Sequence, residues 1–568
     1  MGLTSSLSIG RSALTAYQAA LATIGNNIAN SATPGYSRIS PNLSAIAGPA
    51  FRAGQIGGGV HLSSVRRNVS ESLQARLRMA TSDKESAWAE QTSLDRVEGV
   101  FNPLGDTNLG SMLDEFFESL GNLQNDPQNM ATRGIVITAA DSLAQRIRDV
   151  RSNLVNLRKD LNAEIEEATR QADEIATKIA ELNTQVTVAE AGGSGPAAAL
   201  RDQRDQLLGE LSELFGITVR EQKSGAVSVY IGNEALVQFG QSFGLKTETE
   251  LDGNDLPVAV VRFKHNNGQV TATSGLVEGL INARDNHVGT QFSRLDTLAA
   301  ALIREVNNIH ASGKGLEGFS DLTSLTAVLD PTLALSDADN GVEFLPKTGS
   351  FFIDVKDTAT GTVVRTQINI DLDGIGIDST LNSVAADITA NVAGVTATVL
   401  ADGRLRLAAD GGSSFTFADD TSGFLAAMGL NAFFSGTDSN DIAVNTLIAD
   451  KPALLAAAQS DFSGDGSNAT ALASLREQAV SSLGGASLDE YYTTTIASVA
   501  VSLSGARSAY EAGTIIFESL TIQRESLSGV NLDEEAVALV SYQRAYQGAA
   551  RYLNVVDEMM QTLLTLVR

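Results

Sequence analysis

Two stretches of this chain carry large apolar residues in alternating steps of three and four. This heptad spacing makes one helix pack against another. The N-terminal seam, interrupted at Gly10, consists of Leu3, Leu7, Leu14, Tyr17, Leu21, Ile24 and Ile28. The C-terminal seam consists of Leu532, Leu539, Tyr542, Tyr546, Leu553, Val556, Met560, Leu563 and Val567. The pattern predicts two helices that pack on each other and also contact neighbouring copies of the chain.

The charge of the chain argues against two classes of partner. The 568 residues include 67 acids and 40 bases, for a net charge of −27. Such a charge repels nucleic acid and anionic lipid, so we expect no nucleic-acid partner. No run reaches the roughly 18 to 20 apolar residues that span a bilayer, so we expect no membrane insertion. A basic segment followed by an apolar run of about 7 to 15 residues is also missing from the start, and we therefore expect no cleaved signal peptide.

The charge is unevenly distributed along the chain. The first 70 residues contain five arginines and no acid, and the last 44 contain six acids and three bases. Complementary charge of this kind favours association of the two terminal segments, although exposed pairs set register more than affinity.

Segments with a helical period alternate along the chain with segments of period two, which predicts several domains. The length of the chain predicts the same. Helical patterns cover 69–101, 130–190 and 488–527, residues 39–67 resemble an extended connector, and period-two patterns fall in 217–273 and 343–440. The fold class expected is a multidomain α+β protein. We expect it to be elongated, with a helical coiled-coil stalk from both chain ends and β-rich outer domains inserted in the middle.

The expected division has four parts. They are a terminal helical coiled-coil domain (1–65 and 525–568), a long-helix bundle (66–216, 276–320 and 469–524), a small β-rich insertion (217–275) and an outer β-rich domain (343–440). No element is predicted over 313–342.

The search for reactive groups favours a protein without catalysis, cofactor or metal. The chain has no cysteine, which excludes thiolate chemistry. Ser242 lies in a G-x-S-x-G match, but the Thr-rich alternation after it predicts a strand, whereas a nucleophile elbow needs a helix. The Asp-Gly clusters at 371–374 and 461–466 lack the full spacing of a calcium loop and favour plain turns.

Two motifs resemble those of a known family. Residues 26–30 read NNIAN and are followed by TPGYSR at 33–38; residues 528–535 read SGVNLDEE and are followed by YQRAYQ at 542–547. Together they resemble the end motifs of the axial proteins of the bacterial flagellum, which are the rod, hook and hook-associated proteins. The segments RDQRDQLL at 201–208, GLINARDN at 279–286 and FFSGTD at 433–438 are similar to the hook-associated branch.

The resemblance implies a structural protein that forms a junction ring between hook and filament. It implies contact with other copies in the ring, with the hook protein below and with a second junction protein above. An export chaperone would hold the C-terminal helix, and the chain would leave the cell by flagellar export. Within the first motif, Asn27, Asn30, Pro34, Gly35 and Tyr36 are expected to shape the exit from the first helix.

Three alternatives stay open at this point. A hook or distal rod protein would share the end motifs but lack the RDQRDQLL segment. A serine hydrolase would depend on Ser242. A secreted adhesin would bind through the acidic β-rich domain at 343–440.

Overall fold

The computed structural model describes residues 3–48, 50–51, 54–55, 57–101, 105, 108–191, 197–253, 256–462 and 464–566. It divides into two compact units, each drawn from separate stretches of the chain. Unit 1 comprises Met1–Ser93, Lys159–Arg284 and Leu503–Arg568, and unit 2 comprises Leu94–Arg158 and Asp285–Ser502. The four-part division expected from the sequence stays a prediction.

The helices follow the predicted periodicities. They are α1 (Leu3–Ala29), α2 (Glu71–Phe101), α3 (Leu109–Asn125), α4 (Met130–Ala191), α5 (Ala198–Leu214), α6 (Leu276–Asn282), α7 (Gly289–Ala311), α8 (Leu381–Asn391), α9 (Phe424–Met428), α10 (Thr446–Asp450), α11 (Ser467–Ser474), α12 (Leu488–Ser528) and α13 (Leu532–Leu566). A π-helical segment, Ala283–Val288, lies between α6 and α7, and short 3-10 turns occur at Ala338–Asn340, Pro452–Leu454 and Ser481–Leu483.

The strands are short, and most of them fall where period-two patterns were found. They are β1 (Ile39–Ile46), β2 (Ala50–Phe51), β3 (Gly54–Gln55), β4 (Gly59–Arg67), β5 (Ile217–Glu221), β6 (Val227–Ile231), β7 (Glu234–Gln238), β8 (Gln241–Ser242), β9 (Leu245–Leu251), β10 (Pro257–Phe263), β11 (Asp321–Thr323), β12 (Gly349–Asp357), β13 (Val363–Ile370), β14 (Val395–Val399), β15 (Leu405–Ala409), β16 (Ser413–Ala418), β17 (Phe434–Ser435) and β18 (Ala443–Val444). The expected mixed organisation, with long terminal helices and central regions that contain sheets, is confirmed.

Unit 1 pairs the two terminal helices and adds small sheets. α1 packs against α13, β1 and β4. The segment expected as an extended connector at 39–67 is instead folded back on itself: β1 and β4 pair antiparallel, from Ile39 opposite Arg67 to Ile46 opposite Gly59. That expectation was wrong because Gly48, Gly57 and Gly58, which suggested a linker, lie between β1 and β4, whereas the serines lie within the two strands.

The β-rich insertion of unit 1 contains two sheets. β5, β6, β7 and β8 form a four-stranded antiparallel sheet in that order, and β9 pairs with β10. Val229, Ile231 and Val237 are buried on this sheet, as the alternation of apolar residues requires.

The long helix α4 shows how burial departs from the apolar pattern. Its buried positions follow an apolar stripe through Leu161, Ile165 and Ala172. Beyond that point Ala176 and Asn183 are buried, whereas the adjacent Ile175 and Leu182 are only half-buried. Residues 192–196, which follow the predicted helix, lie outside the described residues.

Unit 2 encloses an aromatic core. β12 lies between β13 and β16 in one sheet, and β15 lies between β11 and β14 in another. Its core includes Phe351, Phe415, Phe417 and Phe424, with the Phe351 and Phe424 rings stacked at 5.3 Å. Residues 313–342, for which the sequence predicted no element, supply β11 to this unit.

Among the helices that the structure describes, none is long and apolar enough to cross a membrane.

Candidate assembly interface

The two terminal helices meet through small residues and a few large ones. Ile24 on α1 and Val556 on α13 are buried, and the rings of Tyr17 and Tyr542 lie 6.4 Å apart between centroids. A Cβ added at Gly10 would lie only 2.7 Å from Cγ and Cδ2 of Leu553. The Leu553 side chain therefore packs on Gly10, the glycine that interrupts the N-terminal seam.

The buried face of α1 differs from its predicted seam. The buried positions are Gly10, Ala16, Ala20, Thr23, Ile24 and Asn27. The remaining seam residues of α1 are half-buried within one chain: Leu3, Leu7, Leu14, Tyr17, Leu21 and Ile28. Small residues thus bring α1 close to its neighbours, while the large ones keep surface available for further contact.

The C-terminal seam is only partly covered within the chain. Besides the buried Val556, its half-buried members are Leu539, Tyr542, Tyr546, Leu553 and Met560. Leu532 and Leu563 are exposed, and Val567 lies outside the described residues. The role of these residues in packing between copies stays a prediction.

A buried hydrogen-bond network joins the two end motifs. The Asn27 side chain is fully buried, and its Nδ2 donates to the Ile39 carbonyl and to Oε2 of Glu535, both at 2.9 Å. Its Oδ1 accepts from the Ile39 N–H at 3.1 Å and from the Tyr36 hydroxyl at 2.8 Å. All four hydrogen-bonding positions of the amide are therefore filled, which removes the cost of burying it.

Ion pairs also connect the two end motifs. Arg38 places Nη1 at 2.7 Å from Glu534 and Nε at 2.8 Å from the fully buried Glu535, and its N–H donates to the Ser528 carbonyl at 2.8 Å. Both ends of the chain thus contribute to one site, as the uneven charge distribution led us to expect. A buried carboxylate with a cation and an amide donor is stable only while both partners are present.

The other motif residues form the exit from α1. The Asn30 Nδ2 donates to the Asn26 carbonyl at 3.0 Å, and Pro34 and Gly35 lie in an exposed turn where Gly35 has a φ of 76°. Burial, followed by the charges of Asp202 and Glu535, raises the pKa of Tyr36 to about 12. Tyr36 therefore stays a hydroxyl and can donate to Asn27 throughout the physiological range.

One contact of the site could not be found from the sequence. The Arg67 guanidinium pairs with Asp202 at 2.7 Å and also with Asp205, and the Ser37 N–H donates to Asp202 at 3.4 Å. These pairs attach β4 and the motif turn to α5, which carries the RDQRDQLL segment. The partners are 135 and 138 positions apart in the chain, and no local pattern relates them.

A second apolar stripe on α13 was also missed. It consists of the exposed Val537, Val540, Val555, Met559 and Leu563, with Val555 52% exposed. Val555, Met559 and Leu563 are four positions apart, which is helical spacing. The neighbouring Tyr552 is partly exposed but borders α1, since its Cδ1 would lie 3.1 Å from a Cβ added at Gly10. Of the predicted seam only Leu563 belongs to this stripe, because the longer heptad pattern lies on the neighbouring face of the helix.

The residues considered as a catalytic serine or as calcium ligands lie in short strands and turns. Ser242 ends the short strand β8, and the next element is the strand β9 rather than a helix. Asp373 and Asp378 accept backbone N–H groups of their own turn, and Asp465 accepts those of Gln459, Ser460 and Ser467. Across the described ranges no group of three or more metal-ligating side chains occurs.

Comparison with known families gives concordant matches along the chain. Residues 94–322 match the flagellar hook-associated protein FlgK helical domain. Residues 7–36 match the flagella basal body rod protein family, and residues 523–566 match the flagellar basal body rod FlgEFG protein C-terminal family.

Full-length relatives agree with these matches. The flagellar hook-associated protein 1 of Escherichia coli (strain K12) is 25% identical over 98% of both chains, and that of Salmonella typhimurium is 26% identical over 98% of both. The chain is thus similar to flagellar hook-associated protein 1 over nearly its whole length. The solved structure of the flagellar hook junction protein FlgK from Burkholderia pseudomallei has the same fold, with a TM-score of 0.50 and 16% identity over 80% of this chain and all of that one.

The similarity to hook-associated protein 1 along the chain indicates the class of function. The family is structural rather than enzymatic, and its members are components of the bacterial flagellum. The chain is accordingly a flagellar hook-associated junction protein that associates with other hook and filament components. The hydrolase alternative based on Ser242 is thereby overturned.

Proposed function

We propose that this protein forms a ring between the flagellar hook and the filament, and that the ring is held together by coiled-coil packing of α1 and α13 with the same helices of neighbouring copies. The observation that carries the proposal is the exposed apolar stripe on α13, in which Val555, Met559 and Leu563 remain about half exposed although α13 packs on α1.

The stripe is suited to association. Full burial of one large apolar side chain contributes roughly 1.5 to 3 kcal/mol, and Val555, Met559 and Leu563 are each about half exposed in the single chain. Large apolar patches left open on a soluble protein mark interaction surfaces. The half-buried Leu3, Leu7, Leu14 and Leu21 of α1 offer a matching surface on the neighbouring copy. A contact between two different surfaces, repeated around an axis, closes into a ring when the rotation between neighbouring copies divides a full turn.

The proposal extends to the partners above and below the ring. The hook protein would contact one side, and a second junction protein would contact the other. Before assembly the same stripe is an aggregation liability, so we propose that an export chaperone covers α13. We further propose that the chain is exported through the flagellum without a cleaved signal.

A substitution on the stripe tests assembly without disturbing the fold. Val555→Asp places a charge on the exposed stripe, and we expect the variant to fold normally but fail to join the hook. Asn554→Asp adds the same charge at the next exposed position, outside the stripe, and should assemble like the wild type. Swimming motility and filament attachment are the assembly measurements, and circular dichroism checks the fold.

Wild-type motility of Val555→Asp would overturn the proposed packing. Leu553→Asp is expected to abolish assembly as well, but through the chain itself, because Leu553 packs on Gly10. The two variants therefore separate the face of α13 that faces α1 from the face available to neighbours.

A further inference from the structure

Within unit 1, helix α12 has an exposed face opposite the side that packs on α2. The packed side carries Leu520, which contacts Leu77 and Ala80 of α2. On the opposite side Ile515 and Ile522 are each 67% exposed. These two isoleucines are seven positions apart, so they point in the same direction along the helix. The exposed face therefore has the spacing of a heptad seam, and the described part of the chain leaves that seam uncovered.

Acidic residues follow the same period beside the two isoleucines. Glu511, Glu518 and Glu525 are exposed and are also seven positions apart. Glu511 and Glu518 form no ion pair with any residue that the structure describes, and Glu525 has only its neighbour Arg524, at 3.8 Å. In a coiled coil, charges that flank the apolar seam select the partner helix. A helix that covers this face should therefore carry bases with the same spacing.

Helix α13 has bases with this spacing. Arg544 and Arg551 are exposed and seven positions apart, and neither guanidinium forms a hydrogen bond or ion pair within the described residues. Val537, seven positions before Arg544, is 72% exposed. Two exposed acids, Asp533 and Glu558, lie beyond the two ends of this row, so the positive charge is confined to its middle. The row therefore offers an apolar position followed by two unpaired cations.

The equal spacing determines how the two rows match. Seven residues of a helix advance by about 10.5 Å, and both rows repeat at this distance. If the glutamate at one end lies opposite Val537, the other two glutamates lie opposite Arg544 and Arg551. Glu558 then meets no glutamate, which avoids repulsion between like charges. In this register the middle residue Glu518 faces Arg544 whether the helices run parallel or antiparallel.

We infer that α12 of one copy packs along α13 of a second copy, with Glu518 of the first paired to Arg544 of the second. Within one chain the two rows do not cover each other, since both are exposed, and α13 packs on α1 instead. A second copy supplies the complementary row, and the same contact can then repeat from copy to copy. The inference rests on the proposed ring and adds α12 to its interface. It uses residues 537–551 of α13 and leaves Val555, Met559 and Leu563 to the proposed packing of the terminal helices.

Reversing the two charges separately and then mixing the variants tests the pair. Glu518→Arg and Arg544→Glu each place like charges opposite each other, so each purified variant should self-associate about fivefold more weakly in sedimentation equilibrium. An equimolar mixture should recover the association of the wild type, because α12 of either variant then meets the opposite charge on α13 of the other. Glu166→Arg and Lys178→Glu, at exposed positions of α4, change the net charge equally and should associate like the wild type. All four variants should keep the unfolding temperature of the wild type, since the substituted side chains are exposed.

The other outcomes each overturn the inference. Both variants could associate as strongly as the wild type, or the mixture could fail to repair the weakness. Recovery only in the double variant Glu518→Arg/Arg544→Glu would show that the two groups pair within one chain. Unchanged self-association together with loss of either variant from purified flagella would assign the exposed face to a different protein. All of these results leave the proposed ring standing, whereas absence of even the wild-type chain from the junction of hook and filament, in immunogold electron microscopy, would overturn the proposed function itself.

Discussion

At the scale of single residues, the unexpected features of this protein are buried polar groups that are fully bonded. Asn183 resembles Asn27: its Nδ2 donates to the carbonyls of Val227 and Phe239, and its Oδ1 accepts from the Val227 N–H and from Arg204. Asn27 precedes Ile28, a member of the predicted seam, and Asn183 follows Leu182. In both cases the asparagine is buried and the large apolar neighbour is only half-buried. A hydrophobic period cannot identify such positions, since their burial depends on partners remote in sequence.

Asn27→Ala should destabilise the junction of the two end motifs. The change leaves Glu535 buried with one donor fewer and leaves the Ile39 backbone groups unbonded. We expect a loss of about 2 to 4 kcal/mol in the local free energy of opening. Hydrogen exchange of the α1 amides measures this quantity. Asn26→Ala, at an exposed side chain, is the control and should cost less than about 1 kcal/mol.

His310 should make unit 2 sensitive to acid. Its Nδ1 donates to the Asn431 carbonyl at 2.7 Å and its Nε2 accepts from the Ala456 N–H at 2.9 Å, so the ring is neutral. Burial, with a contribution from the charge of Arg133, lowers its pKa from 6.5 to about 4.

The sign of the effect follows from the direction of that shift. Between pH 6.5 and pH 4, His310 is protonated in the unfolded chain but stays neutral in the folded chain. Stability that is present above pH 6.5 is therefore lost as the pH falls towards 4. The loss is on the order of 3 kcal/mol. Urea unfolding of the wild type and of His310→Gln at a series of pH values measures it, and the variant should lack this component. Parallel pH curves for both proteins would contradict the assignment.

At the scale of elements, the sequence predicted the helices well and their contacts only in part. The bounds expected for the long helix, 130–190, differ by one residue from α4, because periodicity over that length is unambiguous. The buried face of α1 was not predicted, because a search for large apolar residues overlooks alanine and glycine. Yet Ala16, Ala20 and Gly10 are the residues that allow close approach.

The two glycines inside α1 should respond oppositely to substitution. Gly10→Val would force the new side chain into Leu553 and should destabilise the α1–α13 contact by about 1 to 3 kcal/mol. At Gly25 an added Cβ meets nothing within 4 Å, so Gly25→Ala should stabilise the helix by up to about 1 kcal/mol. Thermal unfolding followed by circular dichroism compares them. A stabilising Gly10→Val would show that Leu553 is free to move away.

At the scale of the whole molecule, attraction and repulsion come from different parts of the sequence. The apolar stripes favour association, while the net charge of −27 on every copy opposes it. The arginines near the N-terminus reduce that repulsion only locally, since Arg38 is already used within the chain by Glu534 and Glu535. Copies should therefore stay apart in dilute solution until the repulsion is screened or the subunits are held in place on the hook.

This balance predicts that salt promotes self-association of the purified chain. Raising the ionic strength from about 0.01 M to 0.1 M shortens the Debye length from about 30 Å to 10 Å, which screens the repulsion between copies but not the apolar contacts. We expect the association constant, measured by sedimentation equilibrium, to rise over this range for the wild type and for Asn554→Asp. Val555→Asp should remain monomeric throughout, because screening cannot replace the lost apolar contact. If association instead weakened as salt increased, ion pairs between copies would outweigh the stripe, and the terminal helices would not be the main source of cohesion.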